Sequence, residues 1–294
     1  LTVPADLASW GVVDLAVEEL VGADGAPARW LVLTHGIYGS GGNWRSIGRR
    51  LVAARPGWGV ALVDLRGHGR SPPGAAPHDL AACAADVDRV IDRLEARAPV
   101  AAVAGHSFGG KVMLALRQGR AGRSSPAQTW VLDASPSARP DALGDPDNSV
   151  VAVLRAIEDG PSTWPDRAAL VAHLGQRGII AAVAQWFAMN LVPAAAGYRL
   201  RLDPAQLRAL LSDYFARDLW SAIDPVDAAG TALPGVVHVV VGDRSPALSP
   251  ADRARLARLQ ATPGAGLTVH HLDAGHWLNA DDPDAVVALL AATL

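Results

Sequence analysis

Short apolar runs, each closing on a Gly or Asp, recur along the first half of the chain and again near its end. "WLVLTHG" (30–36), "GVALVDLRGHG" (59–69), "PVAAVAGHS" (99–107), "TWVLDASP" (129–136) and "GVVHVVVGDRS" (235–245) are continuous rather than alternating. Runs of this length suit strands covered on both faces, as in a parallel sheet. Between them lie "WRSIGRRLVAA", "HDLAACAADVDRVIDRLEA", "FGGKVMLALRQG" and "PADRARLARLQA", all with helical spacing. Strand and helix alternate, which predicts an α/β fold with a mostly parallel central sheet and helices on both faces.

The alternation breaks once. From about Ser137 to Thr231 the pattern holds no clear strand, only helical segments such as "SVVAVLRAIEDG" and "PAQLRALLSDYFARDLW". The apolar run 179–197 is interrupted by Gln185, Asn190 and Pro193. It is too broken for a membrane span and reads as a helix with one apolar face. Helices inserted between two strands commonly cover a site at the strand ends. The expected organisation is a core of residues 1–136 and 232–294 with a helical cap, or lid, over 137–231. Aromatics crowd that insertion, among them Trp164, Trp186, Phe187, Tyr198, Tyr214 and Trp220. Most must pack the cap onto the sheet.

Composition narrows the function classes. The chain has 294 residues, is 50% hydrophobic and carries a net charge of −3. Its basic residues are scattered, so nucleic acid is not an expected partner. The single cysteine, Cys83, rules out an internal disulfide and a cysteine-based metal site. It lies in a helical pattern and reads as a small buried apolar residue. No metal or cofactor is called for. The first twenty residues hold Asp6, Asp14, Glu18 and Glu19 and no Lys or Arg, the reverse of a signal peptide, so a cytoplasmic location is expected. The chain opens on Leu1 rather than Met, and its natural start is expected to lie upstream.

The stretch "VAGHSFGGKVML" (103–114) fits two motifs. Gly105, Gly110 and Lys111 match a phosphate loop, but that loop needs a Ser or Thr after its Lys to hold magnesium, and Val112 stands there. "DLRGHGRSP" gives a weaker dinucleotide hint that fails at Pro72. Gly105, Ser107 and Gly109 match the G-x-S-x-G turn that lifts a nucleophilic serine above a sheet edge. This elbow reading needs a following acid and histidine. His276, in "LDAGHWLNADD", comes after the expected last strand and before the final helix, where the base belongs. His270 and His271 lie inside that strand, His173 and His238 sit in apolar segments, and His106 belongs to the elbow's own shape. The acid has two candidates. Asp243 lies in "GDRS" after the strand that follows the insertion, where a G-x-x-D pattern would put Asp at the position Ser245 holds. Asp133 ends the strand after the nucleophile helix, in "LDASP", and faces the same sheet edge. Asp133 is favoured, with Asp243 as the alternative and Ser245 as an added hydrogen-bonding partner.

Together "HGIYGSGGNW", "DLRGHGRSP", "GHSFGGKVML", "LDASP" and "AGHWL" resemble the α/β-hydrolase superfamily. The lysine after two glycines and the "LDASP" strand end look most like the YbfF-type esterases and their ABHD11-like relatives. The resemblance covers the sheet region and not the insertion. It implies an α/β-hydrolase fold, with the acid at the earlier strand end, Asp133, and a serine, Ser245, at the later one. It further implies a serine hydrolase that cleaves small acyl esters or thioesters with water through an acyl-enzyme. The backbone N–H groups of Ile37 and Phe108 are the expected oxyanion donors, and Tyr38 and Trp186 the expected substrate-pocket residues. Hydrolysis of carbon–carbon bonds or lactones by the same triad is the alternative. So is a non-catalytic ligand-binding role on this fold. The oligomeric state has no signature in the sequence.

Overall fold

The computed structural model describes residues 11–23, 25–120, 125–224, 234–264 and 266–294. The chain runs β1 (Val17–Leu20), β2 (Arg29–Thr34), α1 (Arg45–Ala54), β3 (Trp58–Val63), α2 (Leu80–Glu95), β4 (Val100–His106), α3 (Phe108–Gly119) and β5 (Gln128–Leu132). An inserted segment follows: α4 (Ser149–Glu158), α5 (Arg167–Gln176), α6 (Ala181–Phe187), β6 (Leu191–Pro193), β7 (Tyr198–Leu200) and α7 (Pro204–Ala216). The chain then returns through β8 (Val236–Gly242), α8 (Pro250–Gln260), β9 (Leu267–Leu272), α9 (Leu278–Asp281) and α10 (Pro283–Thr293).

Among the described residues, one seven-stranded sheet has the order β1-β3-β2-β4-β5-β8-β9, with β1 antiparallel and the other neighbours parallel. The continuous apolar runs follow from double coverage, since successive side chains point to opposite faces. Leu31, Leu33, Leu62 and Leu132 pack toward Ile47 of α1 and Leu290 of α10. Val32, Val63, Val103 and Val131 pack on the other face toward Val87 of α2 and Val112 of α3. Cys83 is fully buried in α2.

The structure departs from the sequence reading at two places. Strand β1, "VEEL", was not expected, because it is a short, half-exposed edge whose glutamates break any apolar run. The run 179–197 is not one helix. α6 stops at Phe187, and the chain then forms an antiparallel ribbon in which Val192 faces Arg199. Pro193 cannot supply a helical N–H, and Gly197 turns the ribbon at φ 79°. The expected end of the insertion at Thr231 lies outside the described residues.

The parallel strands all aim their carboxyl ends one way. The loop after β2, Ser107 after β4, Asp133 after β5, residues 243–245 after β8 and His276 after β9 therefore share one edge of the sheet. Open α/β sheets place their ligands at that edge.

Candidate active site

β4 runs directly into α3, and Ser107 sits between them at φ 52° and ψ −114°, a backbone that side chains rarely adopt. The bend is tight. A Cβ on Gly105 would stand 2.1 Å from the Gly109 carbonyl oxygen, and one on Gly109 would stand 2.5 Å from Thr34 Oγ1. The Ser107 N–H donates to the Leu132 carbonyl (2.9 Å), which ties the turn to β5.

His276 lies between β9 and α9, with Nε2 3.0 Å from Ser107 Oγ and Nδ1 2.7 Å from Asp133 Oδ2. Asp133 is fully buried, also at positive φ (50°). Its Oδ1 accepts from the Gly242 N–H (3.0 Å), and its Oδ2 also accepts from the Ser245 hydroxyl (2.5 Å). Every oxygen of this buried carboxylate therefore has a donor, as burial of a charge requires. Asp243 stands apart. Its side chain is 48% exposed and takes the ring of His271 at 2.8 Å. The geometry thus joins Ser107, His276, Asp133 and Ser245, and leaves Asp243 on the outside.

Two further histidines brace the loops. His106 Nε2–H donates to the His276 carbonyl (2.7 Å), with the rings 4.8 Å apart. Burial and the neighbouring His276 push its pKa down to about 3, so it stays neutral and keeps this single donor role. His35 Nδ1 donates to the Gly36 carbonyl (2.8 Å), and its Nε2 accepts from the Leu65 N–H (3.0 Å). Burial holds His35 below the usual histidine range.

The two expected oxyanion donors flank Ser107. The Phe108 N–H opens α3 and so has no partner within the helix, at the positive end of its dipole. Ile37 lies on the loop after β2. That loop runs against the elbow, since a Cβ on Gly36 would lie 3.2 Å from Ser107 Cβ.

Ser107, His276 and Ile37 line a cavity of about 290 Å³, whose other walls include Tyr38, Val150, Val153, Val183 and Trp186. No Asp, Glu, Lys or Arg is among its lining residues. Tyr38 does more than line it. Its hydroxyl donates to the Val150 carbonyl of α4 (2.8 Å), and its own carbonyl accepts from Asn190 Nδ2 (2.9 Å). Trp277, missed in the sequence, meets Trp186 edge-to-face at 4.5 Å. Its position beside His276 was the available signal. Among the described residues no group of three or more His, Cys, Asp or Glu could hold a metal ion, and no helix is long and apolar enough to cross a membrane.

Comparison with known proteins agrees with this fold. A model of the alpha/beta hydrolase family matches residues 31–289. The sn-1-specific diacylglycerol lipase ABHD11 of Xenopus tropicalis is 30% identical over 279 residues, covering 92% of this chain and 78% of its own. The esterase YbfF of Escherichia coli (strain K12) is 26% identical over 264 residues, covering 87% and 89%. Among solved structures, a marine microorganism esterase superposes with a TM-score of 0.77 at 20% identity, covering 96% of this chain and all (100%) of its own.

Proposed function

The chain belongs to the alpha/beta hydrolase family, and on that premise we propose that it is a serine hydrolase that cleaves carboxylic esters or thioesters through an acyl-enzyme. One observation carries the reading: an unbroken hydrogen-bonded relay from Ser107 Oγ through both ring nitrogens of His276 to Asp133.

In this mechanism Ser107 Oγ attacks the substrate carbonyl carbon while His276 Nε2 takes its proton. Asp133 accepts from Nδ1–H, which leaves Nε2 with a free lone pair, and it then stabilises the imidazolium. Charge gathers on the carbonyl oxygen, and the Phe108 and Ile37 N–H groups bind it. Each such donor lowers the barrier by roughly 3 kcal/mol. The imidazolium gives its proton to the departing alcohol or thiol. A water, deprotonated by the same Nε2, then attacks the acyl-enzyme and frees Ser107.

The lining of the cavity supports an uncharged acyl group, since no fixed charge faces it. Residues 137–231 act as the cap, with α4 and α6 supplying Val150, Val153, Val183 and Trp186 to the walls. The core comprises residues 1–136 and 232–294. The test is Ser107→Ala. It should abolish both p-nitrophenyl butyrate hydrolysis and labelling by a fluorophosphonate probe. Labelling that survives the substitution overturns the assignment, and wild-type protein that neither labels nor hydrolyses favours a binding role.

A further inference from the structure

Lys111 plays no part in this mechanism, yet its ammonium is tightly held near the site. It lies on α3 four residues after Ser107 and is fully buried. Its Nζ donates to three main-chain carbonyls: Ser137 (2.8 Å), Tyr214 (2.7 Å) and Arg217 (2.8 Å). The ring of Tyr214 stands 4.7 Å from the same nitrogen. Three acceptors match the three N–H bonds of an ammonium, whereas a neutral amine would turn its lone pair on one carbonyl.

The three carbonyls belong to two separate segments. Tyr214 and Arg217 lie at the C-terminal end of α7, where carbonyls lack helical partners and the dipole is negative. Ser137 follows Asp133 by four residues. α7 in turn is tied to α4 by the Arg208–Glu158 ion pair, and α4 carries Val150 and Val153 of the cavity wall. Burial and the nearby Arg139 push the Lys111 pKa down to about 7, against which Asp213, Asp218 and Asp252 favour the charge.

We propose that Lys111 is a positioning residue, a buried ammonium latch that fastens α7 and the chain after Asp133 to the helix that begins at Ser107, and so holds the acyl cavity closed. The side chain does what a bound monovalent cation would do in the same carbonyl cage. The latch is a property of this chain's packing, and only its kinetic readout rests on the reading of Ser107 as nucleophile.

The test compares Lys111→Met, which keeps the volume and removes the charge, with Lys111→Ala, which also opens the space. For Lys111→Met the KM for p-nitrophenyl octanoate should rise about tenfold. Its kcat, and fluorophosphonate labelling of Ser107, should stay within about threefold of wild type. Amide hydrogen exchange should accelerate in 204–217 and not in 283–293. n-Propylammonium added to Lys111→Ala should restore the octanoate KM, and the neutral propionamide should not. A wild-type KM in Lys111→Met, or equal rescue by propionamide, overturns the latch. Should neither variant fold, wild-type exchange decides. The latch requires 213–217 to open together with 108–119, and independent opening refutes it. Loss of labelling in wild type would instead count against Ser107, leaving the exchange result to stand on its own.

Discussion

Replacing Asp133 by Asn changes one oxygen into an NH2 group and leaves the volume alone. In the native site Oδ1 faces the Gly242 N–H at 3.0 Å, while Oδ2 faces His276 Nδ1 at 2.7 Å and the Ser245 hydroxyl at 2.5 Å. The amide has two ways to sit. With its oxygen toward Gly242, the NH2 points at His276 Nδ1, which must then accept. That forces the proton onto Nε2, where a donor faces Ser107 in place of a base. With its oxygen toward His276, the NH2 meets the Gly242 N–H, and two buried donors oppose each other at about 1–3 kcal/mol. The first arrangement wins and carries the wrong tautomer. Loss of the tautomer and of the carboxylate's charge should lower kcat by about 10³- to 10⁴-fold, equivalent to about 4–5.5 kcal/mol of barrier. Asp243→Asn removes surface pairings alone: a long one with Arg253 (4.0 Å) and an exposed one with His271, where the side chains are 48% and 57% exposed. Such contacts contribute about 0–1 kcal/mol each to stability, and their loss should leave kcat within about twofold. Steady-state hydrolysis of p-nitrophenyl butyrate by both variants decides. An Asp133→Asn enzyme with more than about a tenth of wild-type kcat, or an equal loss in Asp243→Asn, refutes the reasoning.

Ser245→Ala deletes a hydroxyl donor to the buried Asp133 carboxylate, a charge-assisted bond of about 1.5–3 kcal/mol, so kcat/KM should fall roughly ten- to a hundredfold with circular dichroism unchanged. Wild-type kinetics in that variant would remove Ser245 from the relay. Tyr38→Phe severs the hydroxyl bond to the Val150 carbonyl. It should lower the melting temperature by about 2 °C and raise KM for octanoate more than for acetate, and a uniform change across a chain-length series would contradict that role. Stability should also fall in acid. Burial pushes His68 and His106 down to about 3, below their ordinary value of 6.5. The unfolded chain therefore takes up protons below pH 6.5 while the folded protein does not. That stability is complete above pH 6.5 and is lost as pH falls toward 3. Urea midpoints should drop between pH 7 and pH 4.5, and less steeply in His68→Asn. A midpoint flat over this range would count against neutral buried histidines.

The parallel core strands were legible because double coverage leaves nearly continuous apolar runs to read, as in β3 and, apart from His238, in β8. The edge strand β1 and the ribbon of β6 and β7 were not, since four- and three-residue strands carry too few positions for a period to show. Ser107 and His276 could be named from local motifs, each lying on its own turn. Asp133 and Asp243 could only be ranked. Spacing along the chain does not say which strand end faces a histidine, and here the loop after β9 meets β5's Asp133 across the end of β8. Lys111 was unreadable for a different reason. Its partners are main-chain carbonyls, which every residue has and which leave no mark in a sequence.

Among the described residues the non-glycine positions with positive φ are Tyr38, Ser107 and Asp133. A stabilisation campaign that scores substitutions by backbone relief would rank glycine at these sites highly, at about 1 kcal/mol each. Two of the three gains would come with loss of the proposed nucleophile or its acid, and the third would cut the strut between the Ser107-side loop and α4. An engineer seeking a more durable form of this protein should therefore look to exposed helix surfaces and caps, because here backbone relief selects for robust, inert variants.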